Sequence, residues 1–153
     1  MNKLFLICVT IIALVACKKE ETKKSVLIED LAKSEWRKTS ILYSADSVAP
    51  DTMPTISPAV LVCKADNIWH FNATTNTFVL DEGATKCDVS DPQIKEEGSI
   101  EDINNNGSQL RVVGGTTNEI WEIESRTASS FRVSYFGKLG TQTRKFRVTF
   151  TKL

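Results

Sequence analysis

The chain is poor in the residues from which most active sites and metal centres are built. It has one histidine, His70, in 153 residues, and only four cysteines. A single histidine excludes His-rich metal clusters. No His-Glu-x-x-His helix, Gly-x-Ser-x-Gly elbow or phosphate-cradling loop occurs. Gly114-Gly115-Thr116 lacks the lysine that a phosphate loop requires. Excess charge of either sign is also missing, with 19 basic and 19 acidic side chains. Without a net field nothing steers the chain to nucleic acid or to strongly acidic partners. Long apolar runs are absent too. The longest, within residues 4–16, is about a dozen residues, and a spanning helix needs roughly 20.

That short run is informative for what surrounds it. Lys3 precedes it, Leu14-Val15-Ala16-Cys17 ends it, and Lys18, Lys19, Glu20 and Glu21 follow at once. A cationic start, a short apolar stretch and small residues before the break have the form of a secretory signal. The tetrapeptide resembles the lipobox of bacterial lipoproteins. That resemblance implies cleavage after Ala16 and acylation of Cys17. Several acyl chains, at roughly 0.8 kcal/mol per buried methylene, make an effectively permanent anchor. Residues 1–16 are therefore expected to be a signal peptide, 17–25 a lipidated polar tether and 26–153 one domain.

Cysteine usage follows from this division. Cys8 leaves with the signal and Cys17 is lipidated. Cys63 and Cys87 remain, an even pair in an exported protein, for which a disulfide is the default. The alternative, two free thiols or half a metal site, lacks any Cys-x-x-Cys or a histidine beyond His70 to support it.

Beyond Ser25, a candidate helix cap before a short apolar-faced segment at 26–33, the pattern turns to β. Short alternating runs rich in Val, Ile, Thr, Phe and Trp are broken by turn residues. Glu35–Tyr43 is the first. Pro50, Pro54 and Pro58 make residues 45–62 a long connection. The runs 67–72 and 77–81 flank a turn at 73–76. The runs 98–103 and 109–113 flank Asn104-Asn105-Asn106-Gly107, a strong turn signal because Asn and Gly tolerate positive φ. Runs at 118–125, 130–136 and 144–152 complete about eight strands. In the last three, Trp121, Ile123, Phe131, Val133, Tyr135, Phe146, Val148 and Phe150 share one face. Glu122, Glu124, Arg132, Ser134, Arg147 and Thr149 share the other and are expected to meet water. One-sided alternation argues an antiparallel sheet that buries one face. A closed up-and-down barrel and a two-sheet sandwich both satisfy it.

Several features together resemble the lipocalin-like lipoproteins of Bacteroidota. They are Trp36 after a short helix, the segment from Cys63 through Asp66, Trp69 and Phe71, the answering Gly83-Ala84-Thr85-Lys86-Cys87, and the Trp121 strand. Lipocalins proper begin with Gly-x-Trp, whereas this chain has Ser34-Glu35-Trp36. The resemblance implies a barrel of about eight strands with a short N-terminal helix. Lys18 followed by acidic residues is similar to the signal that sends lipoproteins of these bacteria to the outer face of the outer membrane; a periplasm-facing anchor is the alternative. Asp46-Ser47-Val48 and Asp51-Thr52-Met53 resemble their O-glycosylation acceptor motif, at Ser47 and Thr52.

No catalytic constellation emerges. Glu96, Glu97, Glu101 and Asp102 read as a solvated face. His70, opposite Trp69 and Phe71 on its strand, reads as a rim or surface residue. Asp81, Glu82, Asp88 and Asp91 fit no calcium-loop spacing. A non-enzymatic protein without cofactor or metal is expected. Trp36, Trp69, Phe71, Trp121 and Tyr135 either line a pocket for a small hydrophobic ligand or simply fill the core. In the second case the protein acts through loops such as 45–62 and 83–97, as an interaction protein or as an accessory of nutrient or glycan uptake.

Overall fold

The computed structural model describes residues 25–44, 55–56 and 63–153. The expected signal peptide, Cys17 and its tether, Ser47, Thr52 and most of the 45–62 connection lie outside the described residues. One short helix, α1 (Val26–Leu31), precedes nine strands: β1 (Glu35–Tyr43), β2 (Thr55–Ile56), β3 (Ile68–Asn72), β4 (Thr77–Asp81), β5 (Ile94–Asp102), β6 (Gln109–Gly114), β7 (Asn118–Arg126), β8 (Ser130–Leu139) and β9 (Gln142–Lys152). From β3 to β9 each strand pairs antiparallel with the next. β1 pairs β3 through Trp36–Trp69 and β9 through Trp36–Lys152 to Tyr43–Phe146. Eight strands thereby close into an up-and-down barrel, and the sandwich alternative falls away. Closure gives each of the eight strands a partner on both sides, although β1 meets β3 only through residues 35–37.

Three elements differ from expectation. β5 begins at Ile94, so residues 94–97, expected to be loop, pair with β4. Thr55–Ile56 forms a two-residue strand inside the Pro-rich connection, paired with Ile41 and Leu42. β8 and β9 run on as one long hairpin, so Gly137 lies inside a strand and the turn contracts to Gly140-Thr141. The other turns form where Asn and Gly occur. Asn76, Asn104, Asn105, Gly107 and Gly140 all take positive φ.

The helix seals one end of the barrel, here called the lower end. Ser25 caps it by accepting from the Ile28 N–H at 3.2 Å, and its hydroxyl donates to Asp102 at 2.5 Å. Asp102 also accepts from the Gly107 N–H at 3.0 Å. It is thus a buried bracket between helix and β5–β6 turn, which corrects the expectation of a solvated side chain. Glu97 and Glu101 are exposed as expected. Leu27, Ile28 and Leu31 bury their side chains into the barrel end. Trp36 Nε1 donates to the Leu31 carbonyl at 2.8 Å, tying the first strand to the helix. Arg126 reaches Asp30 at 3.2 Å.

Above this floor the interior is a stack of rings. Phe131 lies 4.5 Å from Phe150 and 4.9 Å from Trp36, and Trp69 lies 5.1 Å from Phe78 and 5.3 Å from Trp121. Such pairs add about 0.5–1.5 kcal/mol each beyond area burial. Their fit depends on a gap in the wall. Gly98 and Gly114 face each other across β5 and β6. A Cβ on Gly98 would stand 2.8 Å from Phe78 and 2.0 Å from the Val113 carbonyl oxygen. The glycine pair is therefore the space in which the Phe78 ring lies.

On the outer face, Ser134 departs from expectation. It is buried, flanked in register by Glu122 and Arg147. Arg147 and Glu124 pair at 2.6 Å on that same wall.

Candidate functional site

The upper end of the barrel is framed differently. Cys63 and Cys87 form the expected disulfide, with Cα atoms 4.9 Å apart. It joins the entry to β3 to the loop between β4 and β5. Asp66 accepts from the Ala84 and Thr85 N–H groups at 2.9 and 2.8 Å. Asp81 accepts from the Gly83 N–H at 2.7 Å and from Gln93 Nε2 at 2.7 Å. Gly83 has φ +71°, and a Cβ there would stand 2.4 Å from the Asp66 carbonyl oxygen, so only glycine fits this crossing. Glu82 is wholly buried beneath the loop, with Lys95 Nζ 3.4 Å away offsetting its charge. Asp88 accepts from the Ser90 N–H and hydroxyl, and Asp91 pairs with Lys95 at 3.0 Å, so the four acidic groups that fitted no calcium loop all have partners in the rim. Among the described residues no cluster of metal-ligating groups occurs.

Inside this rim the inward-facing side chains change character. Strand parity runs from Trp36 to Lys38 on β1 and from Trp121 back to Glu119 on β7. A bulge between Lys38 and Ser40 then brings Ile41 and Tyr43 to the interior, opposite Val148 and Phe146. Tyr135 follows Phe131 and Val133 on β8. Lys38, Glu119, Tyr135, Ile41 and Tyr43 all face inward yet keep part of their surface accessible. Below them Trp121, Phe131, Phe150 and Phe78 are at most 1% exposed. These part-buried side chains form an upper layer of the interior, called the recess below, on the side of the disulfide and above the rings.

The charges in the recess are unevenly satisfied. Lys38 Nζ sits 4.7 Å from the centroid of the Trp69 ring and 5.6 Å from that of Phe150. It has no hydrogen bond or ion pair among the described residues. Burial pushes its ammonium below the usual lysine value; the charges of Glu119 and Glu96 oppose that and Lys64 adds to it. Burial pushes the Glu119 carboxyl up, against a 2.6 Å hydrogen bond from Trp121 Nε1 and the attraction of Lys38. The Tyr135 phenol is also pushed up, by burial first and by the Glu119 charge second. Glu96 is different. Burial would raise it, but four hydrogen bonds from the backbone and hydroxyls of Thr116 and Thr117 outweigh burial and hold it below the usual value. Glu96 is therefore an internal cap of the β6–β7 turn.

The five rings proposed from sequence divide between the two regions. Trp36, Trp69, Phe71 and Trp121 are 4%, 3%, 6% and 0% exposed, and all belong to the packed stack. Tyr135 alone keeps an accessible face in the recess. Lys38 and Glu119 were missed because charged residues in amphipathic strands normally face water. The signal that finds them is parity: each stands two residues from a core tryptophan on its own strand. His70 is half-exposed on the outside, 3.5 Å from Glu35. A cleft of about 500 Å³ lies at the other end, between α1 and the β7–β8 turn. Its Asp30 is already paired with Lys33 and Arg126. A scan against protein-family models and a search of curated proteins both return no match for this chain.

Proposed function

We propose that this chain is an exported, lipid-anchored, non-enzymatic binding barrel that receives a small, largely apolar ligand in the upper half of its interior. The observation that carries the reading is the change, up the barrel interior, from buried rings to part-buried polar groups. Lys38, Glu119 and Tyr135 face inward, stay partly accessible, and stand over a floor of rings that admits nothing deeper. Concave sites with apolar walls and a few convergent polar groups are where small ligands bind. The lipobox resemblance at Cys17 and the following lysine and acidic residues support anchorage, at the outer surface of an outer membrane. The Bacteroidota lipocalin-like resemblance supports the same architecture and adds nothing about the ligand.

The test uses the Cys17→Ala chain, free of lipid and detergent. An uncharged environment-sensitive dye such as Nile red should bind once per barrel and change the fluorescence of the neighbouring tryptophans. Ile41→Trp, which places a bulky ring in the recess, should abolish binding while leaving cooperative unfolding intact. If the dye fails to bind the folded Cys17→Ala chain, the filled-barrel alternative replaces this reading. Anchorage is separately testable. Cys17→Ala should move the protein from the membrane fraction to the soluble fraction, and continued anchoring would overturn it.

A further inference from the structure

We infer that the ligand carries a carboxylate, which it presents head-down to the Lys38 ammonium; the inference rests on the recess reading above. The argument is an inventory of what the recess leaves unsatisfied. Lys38 offers three N–H donors and meets no acceptor among the described residues, while the ring faces of Trp69 and Phe150 cover one side of it. Those rings attract the cation but accept no conventional hydrogen bond, so the donors are left for whatever enters. The Tyr135 hydroxyl likewise has no partner among the described residues.

The acceptors are mostly taken. Both Glu96 oxygens serve Thr116 and Thr117, and one Glu119 oxygen holds Trp121 Nε1. The vacancy is therefore rich in donors. A ligand that supplies acceptors completes it, and a ligand that supplies donors does not.

Charge narrows the head group further. A cationic head would meet Lys38, with Lys64 at the rim adding to the repulsion. A doubly charged phosphate would bring two negative charges to one lysine, beside Glu119 and Glu96. A single carboxylate matches one ammonium. Burial raises the Glu119 carboxyl above its usual value, against the Trp121 hydrogen bond and the Lys38 charge. The apolar remainder of the ligand then lies along Ile41, Tyr43 and Phe146 toward the mouth.

The experiment compares three ligands that share one tail: decanoate, decanol and decyltrimethylammonium. Each displaces Nile red from the Cys17→Ala chain. Decanoate should bind at least about tenfold more tightly than decanol, the ratio expected of one charge-assisted hydrogen bond. The trimethylammonium compound should bind most weakly. Lys38→Met should lower decanoate affinity about tenfold and leave decanol within about threefold. Equal binding of acid and alcohol to the unsubstituted recess overturns the head-group assignment and leaves the recess reading standing, and that comparison needs no variant at Lys38. A preference for the cation, or equal losses for both ligands in Lys38→Met, also overturns it. If none of the three displaces the dye, the recess reading falls as well.

Discussion

The two ends of this barrel are built from the same eight strands and solve opposite problems. At the lower end α1, Trp36, Phe71 and Phe131 close the interior, and even the acidic residue there, Asp102, is consumed in joining helix to turn. At the upper end the interior holds a carboxyl raised by burial, together with a lysine and a phenol that have no hydrogen bond among the described residues. The rim above them is held by a disulfide and by Asp66 and Asp81, with few buried apolar contacts. The contrast shows that alternation alone does not make a core. The same inward parity delivers Phe131 at one end and Lys38 at the other, and only the first kind of residue stabilises by burial.

Four measurements test how deep that contrast goes. The largest effect belongs to the ring stack. Phe131→Ala removes a side chain packed on Phe150, Trp36 and Phe71, and should cost about 3–5 kcal/mol in denaturant unfolding. A loss below about 1 kcal/mol would mean that the lower half is not the stabilising one. Next is the rim. Replacing Cys63 and Cys87 with serine should cost about 3 kcal/mol, since the bridge links residues at a sequence separation of 24. Hydrogen exchange in the double variant should rise in residues 82–93 well before it rises in β8 and β9.

Lys38→Met should act in the opposite direction. Replacing a desolvated charge by an apolar side chain of similar length is neutral or stabilising, here by about 1 kcal/mol. Marked destabilisation would show that the ammonium supports the fold rather than waiting for a ligand.

The smallest effect is on pH dependence. The folded-state pKa of Glu119 is raised above its ordinary value of 4.5. Protonation therefore favours the folded state, and its contribution is greatest below pH 4.5 and lost as pH rises through the higher folded value. Between pH 7 and pH 4 the unsubstituted protein should gain stability relative to Glu119→Gln. A difference that is flat, or that grows with pH, would place Glu119 in a solvated setting.

Much of this architecture is readable in the sequence. β1 runs over the expected Glu35–Tyr43, the Asn104–Gly107 segment turns, and the faces of β7 to β9 divide as their alternation requires. Local chemistry decides those features: side-chain period, turn residues and the restriction proline imposes. The cysteine pair was legible from its count. What escaped depends on partners distant in sequence. Thr55–Ile56 becomes a strand because β1 has an unpaired stretch beside it, not because prolines favour one. Ser134 is buried because Glu122 and Arg147 flank it across two ladders. Asp102 is buried because Ser25, 77 positions away, returns to meet it. The inward position of Lys38 was present in its parity with Trp36, but polarity argued the other way. At a binding surface the two signals are expected to conflict.

The sealing of the lower end by α1 has a consequence for traffic. The helix begins one residue after Ser25, so a chain moored through Cys17 is moored at its closed end. Residues 18–25 reach at most about 28 Å when fully extended. Were Cys17 lipidated as proposed, so short a leash would set the closed end toward the lipid and the other end toward the surrounding water. Cargo would then be taken from solution rather than drawn out of the bilayer beneath. That favours acids soluble enough to arrive as single molecules, or acids handed over by another protein at the mouth, over chains that live dissolved in the membrane.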